Sequence, residues 1–509
     1  MKKFLLLVAT LIIPILTFAQ EAAKGLDEKI NDAFQPITNV VEGIVFYSVN
    51  LAGTDSSAMP IVIMLLLTCA TIFTLYFGFV QFRAFKLAID TVRGKYSDPN
   101  NAGEVSHFQA LTAALSGTVG LGNIAGVAIA ISLGGPGATF WMILAGLLGM
   151  ASKFTECTLG VKYRDIGPDG TVYGGPMYYL TKGLKERNME GLGKFLAVIF
   201  AIMCVGGSFG GGNMFQANQA AQQFNSMIGA SSGAAGVIFG IFMATIVAIV
   251  IIGGIKRIGA VTEKVVPFMC GIYVLAALII IFAHFSEIPW AFGQIMGGAF
   301  SPEGIAGGIV GVLVQGFRRA AFSNEAGVGS AAIAHSAVKT DHAASEGVVA
   351  LLEPLIDTVL VCTMTALVII ITNGDGSIMT YGVPEADGVL ATSKAFSSVL
   401  PGFSYILTIA VVLFAFSTML SWSYYGLQSW MFLFGRSKAA DYSYKILFCL
   451  FVVLGSAASL GAVVGFSDAM IFAMAVPNLV GLLLLMPKVK IELNKYLADI
   501  KSGVIKAYK

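Results

Sequence analysis

Eleven stretches of this 509-residue chain are apolar and long enough to cross a bilayer as helices, which takes about 20 residues each. They fall at about 59–82, 108–133, 137–160, 195–213, 233–254, 263–284, 304–333, 347–372, 403–433, 445–460 and 465–487. In hydrocarbon every backbone N–H and C=O must find a partner inside the protein, and a helix supplies one within the segment. The spacing therefore predicts an all-α membrane protein of about 11 transmembrane helices. Charged residues make up 12 % of the chain, against roughly 25 % in soluble domains. The 59 glycines are well above the usual ~7 %. These values exclude a soluble enzyme, a disordered chain and a nucleic-acid binder. Six cysteines lie in apolar stretches without a CxxC pair, and four histidines make no HxH or HxxxH pair. Neither a disulfide framework nor a zinc centre is expected, and no organic cofactor is implied. No GxxxxGK[ST] loop is present, so no nucleotide is expected as a partner.

Residues 1–19 read as a secretory signal peptide. Lys2 and Lys3 precede an apolar run to Phe18, with small residues at Ala9 and Ala19. A retained first span is the alternative. Residues 20–58 form an extracytoplasmic segment with an amphipathic helix, 59–487 the transmembrane domain, and 488–509 a cytoplasmic tail. With 20–58 outside, 23 Lys and Arg fall in inside loops and the tail, and three fall outside. That asymmetry follows the positive-inside rule and places the N-terminus outside and the C-terminus in the cytoplasm.

The second span is interrupted. Gly117, Gly120, Gly122 and Asn123 sit in its middle, and each interior Gly costs a helix roughly 1 kcal/mol against Ala. Unwound backbone at membrane depth is tolerated where it is buried in protein or lines a polar cavity. The seventh span carries a similar interruption, placed near 316–325, and shares letters with the first. Asn123-Ile-Ala-Gly-Val-Ala128 corresponds to Asn324-Glu-Ala-Gly-Val-Gly329, 201 residues later. Chance similarity between Gly/Ala-rich helices is the alternative for the letters alone. The topology adds that one extra N-terminal span precedes two sets of five of opposite orientation, about 108–284 and 304–487. Paired interrupted spans in corresponding positions point to the midplane site of a secondary transporter.

Gly103-Glu-Val-Ser-His-Phe-Gln-Ala-Leu-Thr112, continuing through GTVGLGNIAGVAIAISLGGPGATFWM, resembles the sodium–alanine (alanine/glycine:cation) symporter family. FSNEAGVGSA at 322–331 is similar to a second block of that family. The resemblance runs from about residue 59 to 487. One departure is Ile143, where the family usually carries Trp, and the position stays apolar. More distantly, TVGLGN, GGPGATF and Glu156 resemble the first core helices of the leucine-transporter fold. The resemblance implies a leucine-transporter-like 5+5 inverted repeat. It also implies a multi-pass protein of the bacterial plasma (inner) membrane that takes up alanine or glycine with Na⁺ as the co-transported ion.

Such a substrate is a zwitterion, so its carboxylate needs donors and its ammonium acceptors. The half-helix that starts near Leu121, Gly122 and Asn123 offers free N–H groups and the positive end of a helix dipole. The carbonyls that end the preceding half-helix, around Ser116, Thr118 and Val119, suit a hard cation. By resemblance to the leucine-transporter fold, Ser116 and Val119 would meet the Ser417 and Thr418 hydroxyls of the ninth span at a sodium site. Back-bonding to each hydroxyl's own helix is the alternative. Asn324 can accept from the ammonium or from a cation, cap the following half-helix, or do both. Gln216 is the chosen polar wall of the pocket, with Asn213, Asn218 and Gln219 as rivals. Trp422 lies one turn after Thr418 on the same face and would limit side-chain volume. The substrate set is thus Thr118, Leu121, Gly122, Asn123, Gln216, Asn324, Thr418 and Trp422.

Charges inside spans are functional suspects. Lys153 and Glu156, Glu353 and Asp357, Arg318, Arg319, Glu325 and Asp468 are expected chiefly to pair or gate. Glu156 is expected to brace the broken helices, and Glu325 to face Arg318 or Arg319 as an inner gate. A proton-coupled amino-acid symporter, with Glu325 or Asp468 as carrier, and an ion channel are the competing readings.

Overall fold

The structure is a computed structural model that describes residues 26–50, 58–98, 100–230, 234–301, 308–383 and 388–508. The expected signal peptide lies outside the described residues. Apart from two short antiparallel pairs, Ser48–Asn50 with Ala58–Pro60 and Asp165–Ile166 with Val172–Tyr173, the regular structure among the described residues is helical.

Among the described residues, eight helices are long and apolar enough to cross a membrane, and His107–Thr118 with Gly122–Gly134, bent by 50°, makes a ninth candidate span. Helices occupy the two remaining expected positions but are shorter: Ile61–Tyr76, and Gly308–Asn324 followed by Ala331–His335. Outward faces are apolar, as on Gly254–Ala283, where Phe268, Leu275 and Phe282 are exposed. Ionisable side chains collect inside instead. A helix that is apolar all round belongs in lipid or a large core, and charges at that depth turn toward protein. The expected amphipathic N-terminal helix is Leu26–Val45, and it lies along the last helix, Leu460–Lys501. That last helix runs through residue 488, so the expected tail begins as continuous helix.

The first broken span starts with a capping box. The Ser106 hydroxyl accepts from Gln109 N–H, and the Gln109 side chain accepts from Ser106 N–H. The half-helix ends at Thr118, and the chain resumes as a π-helical turn, Gly122–Gly126, before Val127–Gly134. Two further π turns interrupt spans: Gly210–Met214 and Leu355–Cys362. Inserted π turns commonly mark functional sites.

The second break is displaced from its expected position. Helix Gly308–Asn324 runs unbroken through Gly316, Arg318 and Arg319, and the chain unwinds at 325–330. Gly316 serves a helix crossing, since a Cβ there would press on the Ala138 carbonyl. The unwinding is fixed by left-handed backbone at Glu325 (φ 55°), Gly327 (φ 82°) and Gly329 (φ 97°). A left-handed non-glycine residue is costly and is retained where the surroundings hold it.

Helix Ala138–Lys162 is the hub that touches both broken spans, and glycines set its approach distances. Gly347 faces Thr158 and the Phe154 carbonyl so closely that a Cβ would overlap the Thr158 hydroxyl. Gly347→Ala is expected to lower stability by about 1–3 kcal/mol, the usual range for overpacking, read as a lower midpoint of thermal unfolding in detergent.

Candidate functional site

Three π turns and both breaks converge. At the first break, Asn123 Oδ1 accepts from Gly120 N–H at 2.8 Å, which turns the amide nitrogen toward the third π turn. There Asn123 Nδ2 donates to Asp357 Oδ1 at 2.6 Å and to the Asp357 carbonyl at 3.0 Å. At the second break, Ser323 donates to the same Asp357 Oδ1 at 3.1 Å. Thr358 donates to Asp357 Oδ2 at 2.6 Å, and Asn324 Nδ2 donates to Thr358 Oγ1 at 2.9 Å. Asp357 is fully buried, and its side-chain partners here are neutral. One carboxylate therefore ties the two broken helices together at the point where a Cβ on Gly122 would touch Ser323.

Across the first break, Leu121 N–H donates to Gln216 Oε1 at 3.2 Å, and Gln216 Nε2 donates to the Gly211 carbonyl at 2.9 Å. Of the four candidate amides only Gln216 reaches the break. Asn213 donates to Phe448, Asn218 to Gly455 and Ala458, and Gln219 bonds Asn218, Gln222 and Val389. The buried Thr418 Oγ1 has no hydrogen-bond partner and sits where a Cβ on Gly120 would stand. Ser116 Oγ donates to the Ser417 carbonyl at 2.5 Å, while Ser417 Oγ bonds back to Phe414. The Thr118 hydroxyl also bonds back within its helix.

Trp422 stands against the second π turn, where Gly212 leaves room for the indole, and its Nε1 donates to Glu325 Oε1 at 2.9 Å. Phe322 packs edge-on against Phe215 beside Gly211. Asn324 is engaged with the unwound stretch, its Oδ1 accepting from Ala326 N–H at 2.9 Å, and it does not cap the following helix, which starts at Ala331 after Ser330. The chemistry on offer is one carboxylate, hydroxyls and amide oxygens packed closely against glycine backbone. That set suits a hard monovalent cation and an ammonium, and it rejects a large side chain.

The expected pairing of Glu325 with Arg318 or Arg319 is not formed. Both arginines bind Asp468, Arg318 Nε at 2.8 Å, and Arg318 also stacks on Phe46 at 4.3 Å. Glu325 instead accepts from Trp422 and Ser330. Glu156 does brace the second break, through Asn478, which donates to Glu156 at 3.1 Å and to the Gly327 carbonyl at 2.9 Å. The far end is closed by backbone. Val105 bridges Val338, Lys339 N–H donates to Val105 at 2.8 Å, and Arg164 donates to carbonyls of Ala102, Ser336, Val338 and Thr340. Sequence reasoning noted Asp357 only as one of several in-span acids and missed Ser323 and Thr358.

The profile of the sodium:alanine symporter family matches residues 45–509. The sodium/alanine symporter AgcS of Methanococcus maripaludis is 42 % identical over 440 residues, covering 86 % of this chain and 94 % of that protein. The probable sodium/glutamine symporter GlnT of Bacillus subtilis is 34 % identical over 447 residues, covering 87 % and 89 %. The putative sodium/proton-dependent alanine carrier YrbD, also of Bacillus subtilis, is 35 % identical over 457 residues, covering 87 % and 91 %. Among solved structures, MhsT in complex with L-phenylalanine aligns with a TM-score of 0.53 at 15 % identity, covering 74 % of this chain and 89 % of that one. That likeness shows the leucine-transporter-like fold.

Proposed function

The chain belongs to the sodium:alanine symporter family and is a multi-pass membrane transporter of amino acids rather than an enzyme, and we propose that it is a Na⁺-coupled symporter of alanine or glycine. The observation that carries this reading is the meeting of both breaks on Asp357, with the unpaired Thr418 hydroxyl against Gly120 at the first of them. A buried carboxylate held only by neutral donors is short of positive charge, and burying it so is costly unless a cation joins it. Na⁺ supplies that charge with oxygen ligands from Asp357, Ser323, Thr358 and Thr418. The buried, unwound backbone at the two breaks then receives the substrate's carboxylate and ammonium, Leu121 N–H leaving Gln216 to do so. Trp422, Gln216 and Phe322 limit the side chain to a methyl group or hydrogen.

Alternating access follows from the two closures. Arg319 with Asp468 shuts one end, and the segment 102–105 bonded to 336–340 shuts the other, so opening either exposes the site to one side. We assign the Arg319 end to the outside and the Arg164 end to the cytoplasm from the distribution of Lys and Arg, with residues 1–19 a signal peptide and the carrier in the bacterial inner membrane. One Na⁺ per zwitterion moves one charge, about 2.3 kcal/mol at ~100 mV. A roughly tenfold Na⁺ gradient adds about 1.4 kcal/mol, so accumulation of several hundredfold is within reach.

The test is uptake of labelled alanine or glycine into proteoliposomes with Na⁺ replaced by K⁺ at fixed pH and potential. Uptake should collapse without Na⁺; persistence on a pH gradient alone would replace Na⁺ by H⁺ as the driver. Thr418→Val keeps the shape and removes the hydroxyl. It should raise the half-saturating Na⁺ concentration by about tenfold, the worth of one oxygen ligand of ~1.4 kcal/mol. An unchanged Na⁺ titration in folded protein would take Thr418 out of the cation site.

A further inference from the structure

Beneath the Arg164 closure lies a row of buried ionisable groups that the transport mechanism leaves unused. His107 Nδ1 meets Glu346 Oε2, Glu346 Oε1 meets His335 Nδ1, and His335 Nε2 meets Glu353 Oε1. Glu353 Oε2 then pairs with Lys153 Nζ at 3.1 Å. His107 is 3 % exposed and the others 0 %. Other groups face the row from the elements around it. Glu156 lies 3.9 Å from Lys153 on the same helix, beside the Cys157 thiol. Glu325 faces it from the second break and the Tyr425 hydroxyl from helix Phe403–Phe434. Arg164 and Tyr496 face Glu346, and Tyr179 lies behind Glu156 through Asn478.

Counting hydrogens decides what this arrangement holds. Both ring nitrogens of His335 face carboxylate oxygens, so each N···O gap needs a hydrogen. A neutral imidazole carries one and a carboxylate none. The surroundings need positive charge as well, because Glu156, Glu325 and Glu353 share the single Lys153, while Glu346 faces Arg164 beside the two histidines.

We propose that His335, between Glu346 and Glu353, is a proton-binding site built into the cytoplasmic gate. It holds its proton as imidazolium while the gate is closed and gives it to cytoplasmic water when the gate opens. The placement supports this. His107 begins the first broken span, His335 ends the short helix after the second break, and Glu346 and Glu353 belong to the next span. Opening at the Val105–Val338 bridge separates these three elements and lets water reach the row. Without the proton, one carboxylate faces a bare ring nitrogen and the junction weakens. The sign follows: low internal pH keeps the gate shut, and high internal pH favours opening.

The inference rests on the assignment of sides made above, so two readouts are needed. Histidine ¹⁵N NMR of the intact protein in detergent near pH 7, assigned with His335→Gln, should show both His335 ring nitrogens protonated. A single protonated nitrogen across the range from about pH 5 to 9 would overturn the site, whatever the protein transports. In proteoliposomes, uptake should rise with internal pH by up to about tenfold per unit where one proton is released, at fixed external pH, Na⁺ and potential. Folded His335→Gln or Glu346→Gln should flatten that profile. Uptake indifferent to internal pH in the native carrier, or a slope kept by either variant, overturns the gate assignment. Absent Na⁺-driven uptake at every pH counts against the transport reading and leaves the NMR result to decide the proton site.

Discussion

Asp357→Asn should weaken Na⁺ binding by about 100-fold while leaving a folded carrier. The amide is the same size, and its oxygen can still accept from Asn123 and Ser323, which donate to Oδ1 at 2.6 and 3.1 Å. What disappears is the negative charge shared by the two broken helices. Removing one member of a buried charge pair costs about 2–5 kcal/mol, so the half-saturating Na⁺ concentration should rise by about 100-fold. Linkage adds a second sign: substrate affinity measured in saturating Na⁺ should fall, because the two ligands bind cooperatively through the same carboxylate. Na⁺ titration of substrate binding by calorimetry, with elution position as a control for folding, checks both. Unchanged Na⁺ affinity in folded Asp357→Asn would reduce the carboxylate to a structural tie and shift the cation site to Ser116, Val119, Ser417 and Thr418. Glu353→Gln is the informative contrast. It lies four residues earlier yet pairs with Lys153 and His335, so it should leave the Na⁺ titration in place.

That contrast also shows where sequence reading stops. Glu353 and Asp357 are spaced as neighbours on one face of an α-helix. The π turn Leu355–Cys362 inserts extra residues per turn, and the two acids part company, one to the gate row and one to the breaks. Nothing in LIDTVLVC announces that turn, because it is set by helices crossing from elsewhere. The first break was legible because Gly117, Gly120 and Gly122 weaken a helix wherever they stand. The second was placed too early, on Gly316 and the arginine pair. Gly316 is a crossing point and Arg319 an ion-pair partner, whereas the unwinding belongs to Glu325, Gly327 and Gly329. Gln216 stood among four equivalent amides. Only tertiary contact separates the one that meets Leu121 N–H from three that satisfy carbonyls and amides of neighbouring elements. Helix positions and the family blocks were readable because hydropathy and glycine act locally.

Gly120→Ala is the sharpest steric test of the site, with Gly126→Ala as its partner. Both glycines sit within seven residues of one interrupted span, so composition treats them alike. A Cβ on Gly120 would overlap the Thr418 hydroxyl oxygen and stand 3.3 Å from Gln216 Oε1, whereas a Cβ on Gly126 meets nothing within 4 Å. Overpacking costs about 1–3 kcal/mol, and here it falls on the unpaired hydroxyl and the amide that anchors Leu121. Alanine uptake by Gly120→Ala should therefore drop by about 10- to 100-fold, with the larger part of the loss in Na⁺ and substrate affinity. Gly126→Ala should transport normally and melt at an equal or slightly higher temperature, since Ala is the better helix former by roughly 1 kcal/mol. If both variants lost transport equally, the cause would be stiffening of the span as a whole. If Gly120→Ala transported normally, Thr418 would have moved aside freely, and the space between Gly120, Gln216 and Thr418 would not be where the ligands sit.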